Sequence, residues 1–458
     1  DLAVARPDLA RPARSEADRL LARPTDGAND PRGDAYSTAE ATPICSEVVC
    51  VHYVTTTGDK PAAGDLNSDG VPDYAALTLA TATYVHQTYV GAGYRAPKSD
   101  GNRGGDARVD VYLKDIGKFG LYGYCATDNE NIPANRDVPA YCVVDNDYAS
   151  NEFPDNTPRE NLEVTLAHEY FHAVQFGYDY GEDAWFMEAT ATWAEDEVFD
   201  DVNDNVQYLS DSPMTRPSTS MDQFTRSFHY GTWIFFRHLT EQLPQKTGAM
   251  PSLVREMWEL ADDGPGGKDR YSLQAIKQAV AKRGVSLTEA FASFAQANRM
   301  PGRSYTEGKS SKYPGSKLDR STKLTQRRRT APPYTVDLDH LTSSTIRYVA
   351  GIGLGQRGWR LRIDVDLSSV KRRTAAVVTI FKKGGAPQVR SLALSASGEG
   401  SLVTKFSNRK VSAVEVTLVN AGDHFVCRRG TRFSCSGRSK DDDLGQRVTA
   451  TVEDRNRR

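Results

Sequence analysis

The chain has 458 residues, which is enough for two or more domains that each bury a hydrophobic core. A hydrophobic content of 39%, a charged content of 26% and a net charge of −3 are typical of a globular protein rather than of a highly charged disordered chain. No run of eighteen apolar residues occurs, so the sequence predicts no membrane span.

The first 40 residues are rich in Ala, Arg, Pro and Asp and have no sustained periodicity. We therefore expect residues 1–40 to be a flexible arm or the remnant of a pro-segment, whose trimming is one route to activation. After this arm, apolar periodicity predicts strands over 48–55, 107–113 and 140–145, with a helix over 74–90.

A polar turn between the first strand and the first helix carries oxygen ligands at every second position. Asp65, Asn67 and Asp69 alternate, Gly70 follows where a sharp turn is needed, and Asp73 occupies the ninth position. This order is that of the first part of a calcium-binding loop, and it departs from the EF-hand because the twelfth position is Ala instead of Glu. We expect a structural Ca²⁺ site, and the alternative is an Asx-rich surface turn.

The pattern His-Glu-x-x-His lies inside the apolar stretch 164–178, as His168, Glu169 and His172. Positions i and i+4 of a helix share a face, so the two imidazoles can converge on one ion, for which Zn²⁺ is expected. Glu169 is rotated by about 100° from His168, where it can act as a base for a bound water. The alternative is a core helix with two incidental histidines, but buried groups of this kind need polar partners, which a metal supplies.

A catalytic zinc site has three protein ligands and one open position. The long metzincin pattern is excluded, because the residue six positions after His172 is a tyrosine. Residues 185–195 predict a second buried helix with Glu188 near its start and small residues after it, which allow close approach of the first helix. Glu188 is the expected third ligand, and Asp179 and Asp183 in the polar connection are the alternatives.

The two predicted helices resemble those of the gluzincin metallopeptidases, whose second helix carries a ligand Glu, small residues and another acid seven positions later. Glu188 and Glu195 stand in that relation. The resemblance implies that Glu195 orients a ligand histidine through its free ring nitrogen. The alternative for Glu195 is a solvated charge on the face of the helix.

The order of segments is also similar to that of secreted bacterial metallopeptidases related to immune inhibitor A. The matching parts cover about residues 48–240, and they are the polar turn ending at Tyr74, a helix, the strand 108–113 and the two motif helices. This architecture implies an upper sheet whose edge strand pairs with extended substrate, and residues 141–144 are the candidate strand.

Hydrolysis of this type needs a hydrogen-bond donor for the oxyanion, placed opposite the base. Tyr230 and His229, at the start of an apolar stretch, are the candidates, and the gluzincin resemblance also favours a downstream His or Tyr. The alternative is that these aromatic rings only pack in a core.

The six cysteines fall into close pairs without any Cys-x-x-Cys spacing, which argues against a thiolate metal site. Short loops close most readily, so we expect disulfides between neighbours and a secreted, extracellular protein. The expected pairs are Cys45 with Cys50, Cys125 with Cys142, and Cys427 with Cys435.

The C-terminal half contains three successive segments that differ in periodicity and composition. Helical patterns over 221–242, 251–262, 271–283 and 287–298 predict a helical lower subdomain that completes a catalytic domain of residues 41–302. Residues 303–332 are basic and read as a linker, without the interleaved aromatic residues typical of a nucleic-acid surface. Seven short alternating segments then predict a β-sandwich over 333–458.

The predicted fold class is α+β, with a zincin-like catalytic domain (a small upper sheet, an active-site helix and a helical lower subdomain) followed by an all-β sandwich. The predicted function is that of a secreted zinc endopeptidase acting on protein or peptide substrates, with no nucleic-acid partner. One alternative is a non-catalytic adhesion or glycan-binding protein on a zincin scaffold, which would hold a cell-wall or glycan surface through residues 333–458. A zinc aminopeptidase is the other.

Overall fold

A computed structural model describes residues 9–10, 12–14, 23–24, 36–127, 129, 132–262 and 270–454. Most of the arm predicted over residues 1–40 lies outside these described residues. Within the described part, no helix combines the length and the apolar character that crossing a membrane requires. The described chain mixes helices with strands in several sheets, in agreement with the predicted α+β class.

Nine α-helices lie wholly within the described residues, and we number them in chain order. They are α1 (Asp73–Gly91), α2 (Pro158–Phe176), α3 (Ala184–Val198), α4 (Phe228–Gly231), α5 (Trp233–Gln242), α6 (Ser252–Ala261), α7 (Ser272–Ala281), α8 (Leu287–Ala297) and α9 (Pro301–Ser304).

The strands of the N-terminal half are short. They are β1 (Ile44–Cys45), β2 (Val49–His52), β3 (Val109–Lys114), β4 (Gly123–Ala126), β5 (Tyr141–Asp145), β6 (Lys246–Thr247) and β7 (Met250–Pro251). The later strands are β8 (Arg320–Leu324), β9 (Tyr334–Leu338), β10 (Thr342–Ala350), β11 (Trp359–Asp366), β12 (Thr374–Lys382), β13 (Gln388–Ser391), β14 (Glu399–Lys405), β15 (Val411–Asn420), β16 (Phe425–Val426), β17 (Arg438–Ser439) and β18 (Leu444–Asp454).

The chain divides into two compact units. Unit 1 comprises the described residues within 1–207 and 242–279, and unit 2 comprises those within 208–241 and 280–458. This division differs from the predicted boundaries at 302 and 332. Helix α8 belongs to unit 2 because it packs against β12 and β15. Its buried Phe291 and Phe294 contact Phe235 of α5, which is also in unit 2. Strand β8 lies within the predicted basic linker and pairs with β10, because Thr322 and Leu324 alternate inward between exposed charged residues.

The sheet of unit 1 has the strand order β1-β2-β3-β5-β4. Strands β2, β3 and β5 are parallel, and β1 and β4 are antiparallel strands at the two edges. Helix α2 packs on β4 and β5 and also contacts α1 and α3, so nearly all of its faces are covered. This arrangement explains why α2 is apolar on most sides instead of along one stripe.

The three disulfides predicted from neighbour pairing are present. Cys45–Cys50 joins β1 to β2, and Cys125–Cys142 joins the edge strand β4 to β5 at directly paired positions. In unit 2, Cys427–Cys435 closes the loop between β16 and β17.

Arg23 and Tyr36 of the predicted arm contact the sheet of unit 1, as does Glu40, whose Oε1 is 2.7 Å from Nδ1 of His52 on β2. Arg23 is buried and forms an ion pair of 2.7 Å with Asp100, together with an ion pair to Asp110 on β3. The hydroxyl of Tyr36 donates a hydrogen bond of 2.7 Å to the carbonyl of Leu113. At Arg23 and Tyr36 the arm is therefore attached to β3 and to the residues before it.

Unit 2 contains a β-sandwich. One sheet has the order β13-β12-β15-β10-β8, the other has the order β14-β11-β18-β9, and inward side chains of both form one hydrophobic cluster. The alternation is clear on β11, where Trp359, Leu361, Ile363 and Val365 are buried between less buried polar neighbours. The period-two pattern of the sequence therefore marks the faces of these strands.

A buried histidine ties loops of unit 2 together. The ring of His340 lies between two carboxylates, with Nε2 2.9 Å from Asp222 and Nδ1 2.5 Å from Asp442. Asp222 also accepts a hydrogen bond of 2.7 Å from the Ser434 hydroxyl. Burial alone would lower the pKa of His340, but the two carboxylates outweigh it and raise the pKa to about 10.

This network predicts a stability that falls with rising pH. The pKa of histidine in an unfolded chain is about 6.5, so the stabilisation is fully present below that pH and is lost as the pH approaches about 10. We expect wild type to have a higher free energy of unfolding than His340→Gln at pH 6.5. This difference should shrink by on the order of 2 kcal/mol when the pH is raised to 9.5. Urea unfolding at both pH values measures this difference, and a pH-independent difference would contradict it.

Candidate metal centre

Helix α2 has strong local signals at its start. Thr157 is the N-cap, its side chain accepts from the backbone N–H of Glu160, and the Glu160 carboxylate accepts from the backbone N–H of Thr157. Pro158 occupies the first helical position, where its missing N–H costs nothing. The hydroxyl of Tyr89 on α1 donates a hydrogen bond of 2.6 Å to the carbonyl of Ala167, which fixes α2 next to the motif residues.

The structure brings His168, His172 and Glu188 together. One ligand atom from each lies within 4.8 Å of the others. Oxygen Oε2 of Glu188 is 3.2 Å from Nε2 of His168 and 3.6 Å from Nε2 of His172. The residues of the centre are all buried, with exposed fractions of 8% for His168, 8% for Glu169, 3% for His172, 0% for Glu188 and 6% for Glu195.

These donors fit a zinc ion. Two imidazole nitrogens and one carboxylate oxygen are a ligand set of catalytic zinc sites, and here they meet at a buried point reached from two packed helices. Asp179 and Asp183, the alternative third ligands, are not part of this group. Asp179 accepts from the backbone N–H of Gly181, and Asp183 accepts from the hydroxyl of Ser272.

Glu195 lies on the far side of His168 from Glu188. Its Oε1 is 2.6 Å from Nδ1 of His168, so the imidazole is held between two carboxylates. Burial alone would lower the pKa of His168, but the hydrogen bonds with Glu188 and Glu195 raise it to about 10. Burial raises the pKa of Glu195 to about 7, against the opposing effect of the same imidazole. Glu195 thus holds the imidazole of His168 in one orientation, and its role beside a metal ligand stays a prediction.

Gln175 is a residue of the centre that the sequence analysis missed. Its Oε1 is 2.7 Å from Nδ1 of His172, and its amide nitrogen donates to the Met187 carbonyl at 2.9 Å and to the Thr190 hydroxyl oxygen at 3.1 Å. The only sequence signal was its position, one turn after His172 on the same helix, combined with the rarity of a buried glutamine.

Glu169 lies beside the edge of the sheet. A Cβ atom on Gly123, the first residue of β4, would come within 2.9 Å of Cγ of Glu169 and 2.7 Å of Cγ2 of Thr165. Gly123 therefore allows β4 to run close to the helix turn that carries Glu169. This strand, and not β5, is the edge of the sheet, so the prediction of residues 141–144 as the edge strand is wrong. β5 lies between β3 and β4, because β4 returns antiparallel on its outer side.

Tyr230 and His229 belong to unit 2. The buried ring of His229 is 4.6 Å from that of Tyr230 and 4.3 Å from that of Phe224, and Tyr230 is 4.9 Å from Tyr208. These rings form an aromatic cluster in which His229 is buried and the other three are partly exposed. The expectation that either residue stabilises an oxyanion stays a prediction.

The predicted calcium loop is exposed and internally hydrogen-bonded. Asp65 accepts from the backbone N–H groups of Asp69 and Gly70, Asn67 accepts from that of Asp69, and Asp73 accepts from that of Leu66. Positive φ angles at Ser68 and Gly70 allow this tight path. Hydrogen bonds of this kind are typical of an Asx-rich turn. The all-oxygen donor set also suits calcium, so both interpretations fit the loop.

Comparisons with known proteins add no family. No family model matches the chain, and no curated protein matches it. Among solved structures, the chain is similar to a family GH115 4-O-methyl-α-glucuronidase with specificity for decorated arabinogalactans, at 8% identity and a TM-score of 0.15. The match covers 67% of this chain and 45% of that protein, so the chain spans less than half of its length.

The donor set predicts the effect of neutralising its carboxylate. Glu188→Gln keeps the volume of the side chain and removes the charge, so we expect zinc affinity to fall by more than about 100-fold, since even partners outside the ligand set typically change it 10- to 100-fold. Glu163→Gln on α2, which only breaks a surface ion pair with Arg159, is the matched control. Competition with a chelator at fixed pH measures both affinities, and equal values would exclude Glu188 as a ligand.

Proposed function

We propose that the chain is a zinc-dependent endopeptidase. The observation that carries the proposal is the buried convergence of His168, His172 and Glu188, with Glu169 on the same turn of α2. The resemblance of the motif helices to those of gluzincins, and of the segment order to that of the immune inhibitor A-like peptidases, supports it. The zincin-like architecture of this part of the chain belongs to the same proposal.

The ligands would be His168, His172 and Glu188. A zinc ion bound there would supply a Lewis acid, which polarises a carbonyl and makes water more acidic. Glu169 takes the proton of the attacking water and passes it to the leaving amine, as a general base and then a general acid. Glu195 holds the ring of His168 in one orientation while this happens.

The substrate class follows from the edge of the sheet. Strand β4 begins at Gly123, beside Glu169, and pairs with β5 on one side only in the described part of the chain. An extended peptide can add to such an edge through main-chain hydrogen bonds, which places a peptide bond near the base. We therefore propose protein or peptide substrates cleaved within the chain. Three disulfides are compatible with secretion, which we include in the proposal.

The mechanism predicts a separation of metal binding from activity. In Glu169→Gln the base is lost while the three ligands remain, so we expect zinc affinity within about threefold of wild type and a loss of peptidase activity of at least about 1,000-fold. Glu163→Gln is the control, because it makes the same Glu-to-Gln change on the same helix but at a surface ion pair.

The measurement is digestion of a broad peptide library, combined with zinc determination on the same samples, with and without a chelator. Peptidase activity retained in Glu169→Gln, or unaffected by removal of zinc from wild type, would defeat the mechanism.

We also propose that the loop 65–73 binds a structural calcium ion. The support is the cluster of side-chain oxygens from Asp65, Asn67, Asp69 and Asp73 on one tight, exposed turn. Saturating Ca²⁺ is expected to raise the free energy of unfolding by about 1–3 kcal/mol.

Asp65 accepts the backbone N–H of Asp69 at Oδ1 and that of Gly70 at Oδ2. Asp65→Asn keeps one acceptor oxygen for one of these hydrogen bonds and removes the charge, so this variant should lose the calcium response. Thermal unfolding with Ca²⁺ or Mg²⁺ tests the site. Equal midpoints with both ions in wild type would favour the Asx-rich turn instead.

A further inference from the structure

A chain of buried hydrogen bonds runs from the metal centre to Trp258 on α6. The indole N–H of Trp258 is 3.2 Å from the Thr190 hydroxyl, which is 3.1 Å from the amide nitrogen of Gln175, whose oxygen is 2.7 Å from Nδ1 of His172. All four residues belong to unit 1 and are almost fully buried. Water therefore cannot easily replace any of these four side chains as a hydrogen-bond partner.

The direction of each hydrogen bond in this chain is determined by chemistry. An indole N–H can only donate, so Thr190 accepts from Trp258. The single proton of Thr190 is directed to the Phe186 carbonyl, 2.7 Å away on the preceding turn of α3, so its oxygen also accepts from Gln175. The amide nitrogen of Gln175 further donates to the Met187 carbonyl at 2.9 Å.

This polarity fixes the tautomer of His172. Because the amide nitrogen of Gln175 faces two acceptors, its oxygen must face the ring, and the ring nitrogen Nδ1 must carry the proton that it donates. Nitrogen Nε2 of the neutral ring then has a lone pair, and it is this nitrogen that lies 3.6 Å from Glu188. In the other tautomer, Nδ1 would carry a lone pair, and two acceptors, Nδ1 of His172 and Oε1 of Gln175, would face each other.

We propose that Gln175 is a positioning residue, which holds His172 as the Nδ1–H tautomer and presents its Nε2 to a metal ion. Thr190 is the residue that keeps the amide of Gln175 in the required orientation. This inference rests on the zinc site of the proposed function, and it adds that the zinc affinity depends on a polar chain extending from α2 through α3 to α6.

The first test is Gln175→Met, which keeps the length of the side chain and removes the acceptor. Partners that orient ligand histidines typically contribute 10- to 100-fold to metal affinity, so we expect zinc affinity to fall within that range. In ¹⁵N spectra of metal-free protein labelled at its histidines, the resonance pair of His172 should show a protonated Nδ1 in wild type and a mixture of tautomers in the variant.

The second test acts one step further from the metal. Thr190→Val removes the hydroxyl without changing the shape of the side chain, so the amide loses an acceptor and we expect zinc affinity to fall by at least about fivefold. Thr190→Ser keeps the hydroxyl and should restore wild-type affinity.

The matched control is Thr78→Val on α1. Thr78 is as deeply buried as Thr190, and its hydroxyl donates to the Tyr74 carbonyl at 2.8 Å in the same helical geometry, so this substitution should leave zinc affinity unchanged.

The outcomes separate this inference from the proposed function. If wild type binds no zinc, the proposed function fails, and the inference fails with it. If wild type binds zinc but Gln175→Met and Thr190→Val bind it within twofold of wild type, the inference is overturned and the proposed function stands. If Gln175→Met does not fold, the comparison of Thr190→Val with Thr190→Ser and Thr78→Val decides.

Discussion

A carboxylate buried between two imidazoles is the interaction on which the arrangement of unit 1 depends. Glu188 is fully buried on α3, and an isolated carboxylate in that position would be costly. Burial by itself raises the pKa of Glu188, and the interactions with the neighbouring His168 and His172 oppose this rise. Helices α2 and α3 must therefore stay in register with each other, because a shift of either would separate the charge from its partners.

This constraint explains the layers around α2. The helix has to face α3 with its histidines while its other sides cover β4, β5 and α1. A helix that is covered on nearly all sides has no amphipathic stripe, and from Val164 onward most residues of α2 outside the centre are apolar. The close approach of β4 at Gly123 follows from the same crowding, since a side chain there would displace Glu169.

The sequence predicted those parts of the centre that depend on local geometry. The spacing of His168 and His172 places both on one helix face, and the small residues after Glu188 allow the second helix to approach. The alternation of the C-terminal strands likewise predicted which side chains enter the sandwich core, and short loops predicted the three disulfides.

The parts that were missed depend on tertiary packing. Gln175 is one polar residue on an apolar helix, and its role is visible only once α3 places Thr190 and the Met187 carbonyl against it. The order of β4 and β5 at the sheet edge is a matter of strand pairing, which periodicity does not encode. Strand β8 was not predicted because its segment has the basic composition of a linker. Thr322 and Leu324 nevertheless show the two-residue period of a strand.

His168 and His172 have partners of different charge, and this difference suits the divalent ion of the proposed site. His168 is held by the carboxylate of Glu195, whereas His172 is held by the neutral amide of Gln175. As metal ligands both imidazoles would be neutral. Ionised Glu188 and Glu195 would then carry two negative charges, which a divalent cation would balance in a buried site. A carboxylate at position 175 would add an unbalanced charge, and its second oxygen would face the Met187 carbonyl instead of donating to it.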